Sequence, residues 1–102
     1  MEGKWIDPTK NDSTTFFYFL SYMTVIISVE NRKNVCGYKL DSLNNEETIL
    51  ISRTPEDTVY IIKYFIRRIN NDKIGLQSYE DSKTAKWENE SEINTVYFVR
   101  DK

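Results

Sequence analysis

Few side chains in this sequence could carry acid–base, nucleophilic or metal chemistry. It contains no histidine, which removes the commonest general base and metal ligand near neutral pH. Its single cysteine, Cys36, falls in a predicted strand with no histidine and no obvious helix N-terminus to lower its pKa, which predicts a buried, inert thiol. The Asp and Glu residues fall in turns or polar loops and none interrupts an apolar face. The pattern therefore predicts a protein that is not an enzyme and that needs no cofactor.

One acidic stretch, residues 80–94, contains the remaining candidates for a site. Glu88, Glu90 and Glu92 alternate there, but without a tight glycine turn to gather them a solvated loop is favoured over a calcium site. Trp87 in the same stretch, and Tyr22 elsewhere, are possible contacts for a protein partner, because exposed aromatic residues often anchor interfaces. For Trp87 we favour the alternative, in which the ring folds back onto the protein as a plug.

Length and charge set the class of protein. The 102 residues are enough for one domain, predicted to span residues 1–102. A net charge of −2 and scattered basic residues argue against nucleic-acid binding. A lone cysteine allows no intrachain disulfide. No apolar stretch approaches the roughly 20 residues that a membrane-spanning helix needs.

The composition favours β-structure. Aromatic residues make up 14% of the chain, and its only alanine is Ala85. Turn residues separate eight predicted strands, at spacings near the roughly 8–12 residues typical of a barrel or sandwich. These strands are residues 3–7, 14–20, 24–30, 35–40, 47–53, 58–69, 73–79 and 95–100, with a turn at 31–34 and a polar loop at 41–46.

Residues 58–69 are ambiguous. Val59, Ile62, Phe65, Ile66 and Ile69 have helical spacing, so the segment could be an amphipathic helix or a long, bent strand. Its β-branched residues and the turns on both sides favour the strand.

The order of these segments resembles small bacterial lipocalin-like domains of the calycin type. The resemblance runs through nearly the whole chain. It rests on Gly3-Lys4-Trp5, Thr15-Phe16-Phe17-Tyr18-Phe19 with Thr24-Val25, Gly37-Tyr38-Lys39-Leu40, Ile49-Leu50-Ile51, Tyr60-Ile61-Ile62, Asn70-Asn71-Asp72 with Ile74 and Leu76, and Tyr97-Phe98-Val99-Arg100. It implies an all-β fold, a small eight-stranded antiparallel up-and-down β-barrel.

The resemblance also implies which side chains point inward. Gly3, Trp5 and Arg100 would close one end of the barrel, with the basic side chain lying across the Trp5 ring. The candidate ligand-binding residues of the interior are Phe17, Phe19, Val25, Ile27, Tyr38, Ile49, Ile51, Tyr60 and Ile62. Val29, Leu40, Ile74, Leu76 and Phe98 would share that inner face. The entrance would lie opposite Trp5, where residues 21–23 and the 80–94 loop are both expected.

Two functions stay open at this point. The first is a non-enzymatic binding module for a small hydrophobic ligand. The second is a protein–protein interaction module, such as an inhibitor, an immunity-type protein or an assembly protein, with a filled barrel as its platform and Phe16, Tyr18 and Tyr22 among its contacts. The many large aromatic residues favour a filled interior over an open one. The resemblance favours an exported or periplasmic lipoprotein, its leader missing from this sequence, over a cytoplasmic protein.

Overall fold

The computed structural model of the chain describes residues 2–9, 15–21, 23–30, 32–80, 82–88 and 94–101. Eight antiparallel strands close into a barrel in sequence order, each paired with its neighbours in the chain and the last with the first. The strands are β1 Gly3–Ile6, β2 Phe16–Leu20, β3 Thr24–Val29, β4 Arg32–Leu43, β5 Glu46–Ser52, β6 Tyr60–Asn70, β7 Lys73–Ser78 and β8 Thr95–Arg100. The predicted up-and-down β-barrel is confirmed. Among the described residues there is no helix that is long and apolar enough to cross a membrane.

The ambiguous segment is a strand, β6, as the β-branched content favoured. Its helical spacing has a structural cause. Ile66 points into the barrel, whereas Phe65 points outward, and yet both side chains are buried. Two consecutive buried apolar residues break the period-two pattern of a half-exposed strand and imitate a helical one.

The two ends of the barrel differ, and we name them by what lies there. The closed end holds Trp5 and Arg100, which pair across β1 and β8, and the connections β2–β3, β4–β5 and β6–β7. The opposite end, which we call the mouth, holds the connections β1–β2, β3–β4, β5–β6 and β7–β8. The expectation that the β2–β3 connection lies opposite Trp5 is therefore wrong for its described residues, Ser21 and Met23, because in an up-and-down barrel every second connection returns to the end where β1 begins.

Two predicted connections are also wrong. Residues 41–46 are not a loop, since β4 continues to Leu43 and a two-residue turn follows. That turn is Asn44–Asn45, with φ of 52° and 65°, and asparagine tolerates this left-handed region better than most residues. Of the turn predicted at 31–34, residues 32–34 are strand, because β4 already begins at Arg32, paired with Val29, and Asn31 lies outside the described residues.

The core lies inside the barrel. Its buried side chains come from all eight strands and form one cluster, with Phe17, Ile27, Ile62 and Tyr64 packed against it in half-buried positions. The buried members are Trp5, Phe19, Val25, Cys36, Tyr38, Ile49, Ile51, Ile66, Ile74, Leu76 and Phe98.

Three residues expected in this core lie elsewhere. Val29 keeps the inward parity but is exposed, because it is the last residue of β3. Leu40 is exposed because β4 extends past the start of β3 and has only β5 beside it there. Tyr60 is turned to the outer face by a β-bulge, which pairs it with Ser52, and the Lys39 ammonium lies 4.8 Å from the centre of its ring.

Candidate functional site

The closed end is built around Trp5. Its side chain is 3% exposed, and the guanidinium carbon of Arg100 lies 4.4 Å from the centre of its ring. Arg100 also donates hydrogen bonds to the backbone carbonyls of Glu2 and Asn71, at 3.3–3.4 Å. Gly3, at a φ of 118°, leaves room for this guanidinium, because a Cβ there would stand 3.0 Å from an Arg100 nitrogen. The three residues that the resemblance assigned to barrel closure are thus brought together.

Aromatic rings fill the interior next to this closure. The ring centroids of Phe17 and Phe98 are stacked 4.8 Å apart, and Phe19 meets Phe17 at 6.0 Å and Tyr38 at 4.9 Å, both edge to face. Such contacts add about 0.5–1.5 kcal/mol each beyond the burial of the rings. Of the predicted ligand-binding residues, Phe19, Val25, Tyr38, Ile49 and Ile51 are therefore buried in packed core.

The inward-facing residues that stay half-exposed are at the mouth. These are Phe17, Ile27, Ile62 and Tyr64, and we call them the mouth residues. The first three belong to the predicted ligand-binding set, whereas Tyr64 was missed. Its signal was present in the sequence, since Ile62, Tyr64 and Ile66 follow the period of two that defines one face of a strand.

A groove opens at the mouth where β6 and β7 part. Their pairing ends at Tyr64 and Ser78, followed by one hydrogen bond of 3.2 Å from the Tyr79 amide to the Lys63 carbonyl. From this point towards the mouth, β6 stays paired with β5, whereas the chain that follows β7 turns away from β6. The resulting groove, which we call the mouth groove, has a volume of about 490 Å³ and is lined by Ile61, Ile62, Lys63, Tyr64, Ser78, Tyr79 and Glu80. Burial raises the pKa of Tyr64, so its hydroxyl stays protonated at neutral pH.

The 80–94 stretch does not cover the mouth in its described part. We call residues 79, 80 and 82–88 the strap. The strap runs along the outer face of the sheet towards the β4–β5 turn, where the Asn44 amide donates to the carbonyls of Ser82 and Ala85 at 3.2 and 2.9 Å. It then returns to Gln77 near the end of β7, whose side-chain amide both donates to and accepts from the backbone of Glu88, at 2.9 Å each.

Trp87 is half-buried under the strap, on the outside of the barrel. Its ring lies over Gly75, where a Cβ would stand 3.0 Å away, and the Arg67 guanidinium carbon is 5.3 Å from the ring centre. Glu46 accepts from Arg67 at 3.0 Å and holds it there. Trp87 thus folds back onto the protein, as favoured, but it does not plug the barrel. The other candidate partner contact, Tyr22, lies outside the described residues.

The remaining candidates offer no reactive chemistry. Cys36 is buried, and desolvation raises the pKa of its thiol. Among the residues that the structure describes, no three Cys, Asp or Glu side chains are grouped as metal ligands. Of the three carboxylates considered for calcium, Glu90 and Glu92 fall outside the described residues.

The fold defines the class as a closed, eight-stranded up-and-down β-barrel. Comparisons with protein-family models, curated proteins and solved structures find no match. The resemblance to lipocalin-like domains stays a prediction that rests on the residues quoted for it.

Proposed function

We propose that this protein is a non-enzymatic binding module that takes a small, largely apolar ligand at the mouth of its barrel. The observation that carries the proposal is the exposure of the mouth residues. Phe17, Ile27, Ile62 and Tyr64 point inward and yet remain open to water, whereas the inward residues below them are buried. A ligand that covers these side chains gains about 25 cal/mol for each Å² of apolar surface removed from water.

The packed rings limit how deep the ligand reaches. The buried rings of Phe19 and Phe98, against which Phe17 packs, fill the interior below the mouth, so the ligand lies between the mouth residues and in the mouth groove. The groove volume of about 490 Å³ is within the range of roughly 300–1,000 Å³ that small-molecule sites occupy. The Tyr64 and Ser78 hydroxyls at this groove suit a ligand with an aromatic or aliphatic body and one uncharged hydrogen-bonding group.

A protein-interaction platform is the second candidate, and one observation favours it. Tyr18, Ile26 and Val35 are cross-strand neighbours on the outer face of β2, β3 and β4. Tyr18 is 40% and Val35 54% exposed, so the row presents a continuous apolar strip. Phe16, which the sequence placed among these contacts, does not belong to the exposed strip, because it is buried and the Lys4 ammonium covers its ring at 4.3 Å.

Titration with an uncharged fluorescent probe, N-phenyl-1-naphthylamine, tests the leading proposal. Ile27→Trp and Ile62→Trp place a large ring at the mouth, and we expect both to abolish the fluorescence gain that the wild type shows. The matched control is Ile26→Trp, which adds the same ring one residue away on the outer face and should leave binding unchanged. Overpacking costs about 1–3 kcal/mol, so circular dichroism must first show that each variant is folded.

Two results would reject this function. One is a wild type that binds no apolar probe. The other is a control variant, Ile26→Trp, that loses binding to the same degree as Ile27→Trp. Loss of a captured protein partner on Val35→Asp, with no probe binding at the mouth, would support the platform instead.

A further inference from the structure

The strap borders a second cavity, which lies on the outer face of the barrel and is open to solvent on one side. This cavity, which we call the strap cavity, has a volume of about 330 Å³. Its floor is formed by Phe65 and Gln77. Its walls are formed by the strap, from Tyr79 and Glu80 at one side to residues 82–88 at the other. It shares Ser78, Tyr79 and Glu80 with the mouth groove, but the rest of its lining is separate.

Four contacts fix the strap to the barrel. Tyr79 stacks on Phe65 at 4.2 Å, Asn44 binds two carbonyls at the far bend, Trp87 packs on Gly75, and Gln77 fixes the backbone of Glu88. These contacts tie the strap to β6 through Phe65, to the β4–β5 turn through Asn44, and to β7 through Gly75 and Gln77. The strap is therefore fixed to the barrel at Tyr79, at Ser82 and Ala85, and at Trp87 and Glu88. These contacts define the shape of the cavity beside it.

The side chains around this space carry both signs of charge. Lys86 supplies an ammonium group, and Glu80 and Glu88 supply carboxylates. Among the described residues none of the three takes part in an ion pair. Asn94 and the hydroxyls of Ser82 and Thr84 add uncharged donors and acceptors. Lining of this kind suits a polar ligand that carries both signs of charge better than the apolar ligand expected at the mouth.

We propose that the strap cavity binds a small zwitterion, that is, a molecule with one ammonium and one carboxylate group, such as a free α-amino acid. Lys86 pairs with the ligand carboxylate, and the carboxylates of Glu88 and Glu80, which line the same cavity, are available to the ligand ammonium. The Tyr79 ring on the Phe65 floor receives the ligand's side chain. Because the charged groups are exposed and screened by water, the affinity is in the millimolar range.

Chemical-shift titration of the isotope-labelled full chain tests this proposal. Glycine, alanine and phenylalanine are added as free amino acids, next to N-acetyl-alanine, which lacks the ammonium, and alanine amide, which lacks the carboxylate. Saturable shifts at strap residues with the free amino acids, and none with the two blocked compounds, are expected. Lys86→Gln and Glu88→Gln should each weaken binding about fivefold, as for an exposed charge pair.

The chain offers a matched control for the lysine variant. Lys83 lies in the same strap but does not line the cavity, so Lys83→Gln should leave the titration unchanged. Absence of shifts with every free amino acid, equal binding of the blocked compounds, or an equal loss in Lys83→Gln and Lys86→Gln would each overturn the proposal. Lys86 and Glu88 do not line the mouth groove, so probe binding at the mouth stays unchanged in their variants and its outcome is read separately.

Discussion

Replacement of Trp5 is the sharpest test of how the barrel is closed. An aromatic side chain of this size buries about 150–250 Å², and with only 3% of Trp5 exposed the upper end of that range applies. At about 25 cal/mol/Å² this corresponds to roughly 6 kcal/mol, an upper estimate because the unfolded chain already buries part of the ring. Truncation of a large buried aromatic to alanine usually costs about 3–5 kcal/mol.

The indole nitrogen of Trp5 lowers the loss of stability expected for Trp5→Ala. Trp5 Nε1 is fully buried and has no hydrogen-bond partner among the described residues, and an unsatisfied buried donor costs about 1–3 kcal/mol. Trp5→Ala removes this cost together with the ring, so we expect a loss of about 3 kcal/mol in the free energy of unfolding. Trp5→Phe removes the N–H but keeps most of the ring, so its stability should lie within about 1 kcal/mol of the wild type.

Urea denaturation followed by far-UV circular dichroism measures both variants. Arg100→Leu is the companion variant, since it removes the cation from the ring and should cost about 1–2 kcal/mol. A loss below about 1 kcal/mol for Trp5→Ala would refute the closure by Trp5. A Trp5→Phe variant as unstable as Trp5→Ala would show instead that the indole N–H contributes to stability.

Two further predictions concern the β4–β5 turn and two tyrosines of the barrel interior, Tyr38 and Tyr64. Asn45, at a φ of 65°, should tolerate Asn45→Gly, whereas Asn45→Ala should cost about 1 kcal/mol in urea denaturation; equal stability of the two variants would contradict the turn geometry. Burial raises the pKa of Tyr64, and burial together with the Glu2 carboxylate raises that of Tyr38. Since the unfolded chain then loses these protons at a lower pH than the folded protein, their contribution to stability is complete below the ordinary tyrosine pKa of about 10 and is lost as pH rises from there through the raised pKa of the folded state. Denaturation series at increasing alkaline pH should show this loss, and the slope should be smaller in Tyr64→Phe.

Turn chemistry explains why the strand order followed from the sequence. Turn-forming residues indicate chain reversals, as at Asn70-Asn71-Asp72 and around Pro55. The strands between such turns were predicted to within a few residues of their observed bounds. The failures occurred where a reversal leaves little trace. Asn44–Asn45 sits inside a longer polar run, so the sequence did not show which two residues turn. Ser21 and Met23 carry no turn signal, although Met23 adopts a φ of 55°.

One side chain, Tyr60, was predicted on the wrong side of the sheet, and a single β-bulge is the cause. Alternation along a strand places Tyr60 on the same side as Ile62, and the bulge opposite Ile51 and Ser52 reverses that relation for Tyr60 alone. A bulge is stabilised by its strand partner and by the curvature of the sheet, and neither is encoded in the local pattern of apolar residues. Tyr60 was therefore predicted among the inward ligand-binding residues, whereas the structure turns it to the outer face.

The strap connects two features that looked unrelated in the sequence. The first is the helical spacing of β6, caused by Phe65, an apolar residue on the outer face of its strand. The second is a long polar connection that contains a lone tryptophan. An outward apolar side chain in a barrel strand is buried only where another segment covers it, because closure of the sheet protects only the inner face. The strap supplies that cover through Tyr79, which stacks on Phe65, and through Trp87, which packs on the neighbouring β7. A break in strand alternation together with an aromatic residue in a nearby long loop thus indicates a loop folded against the outer face of the barrel.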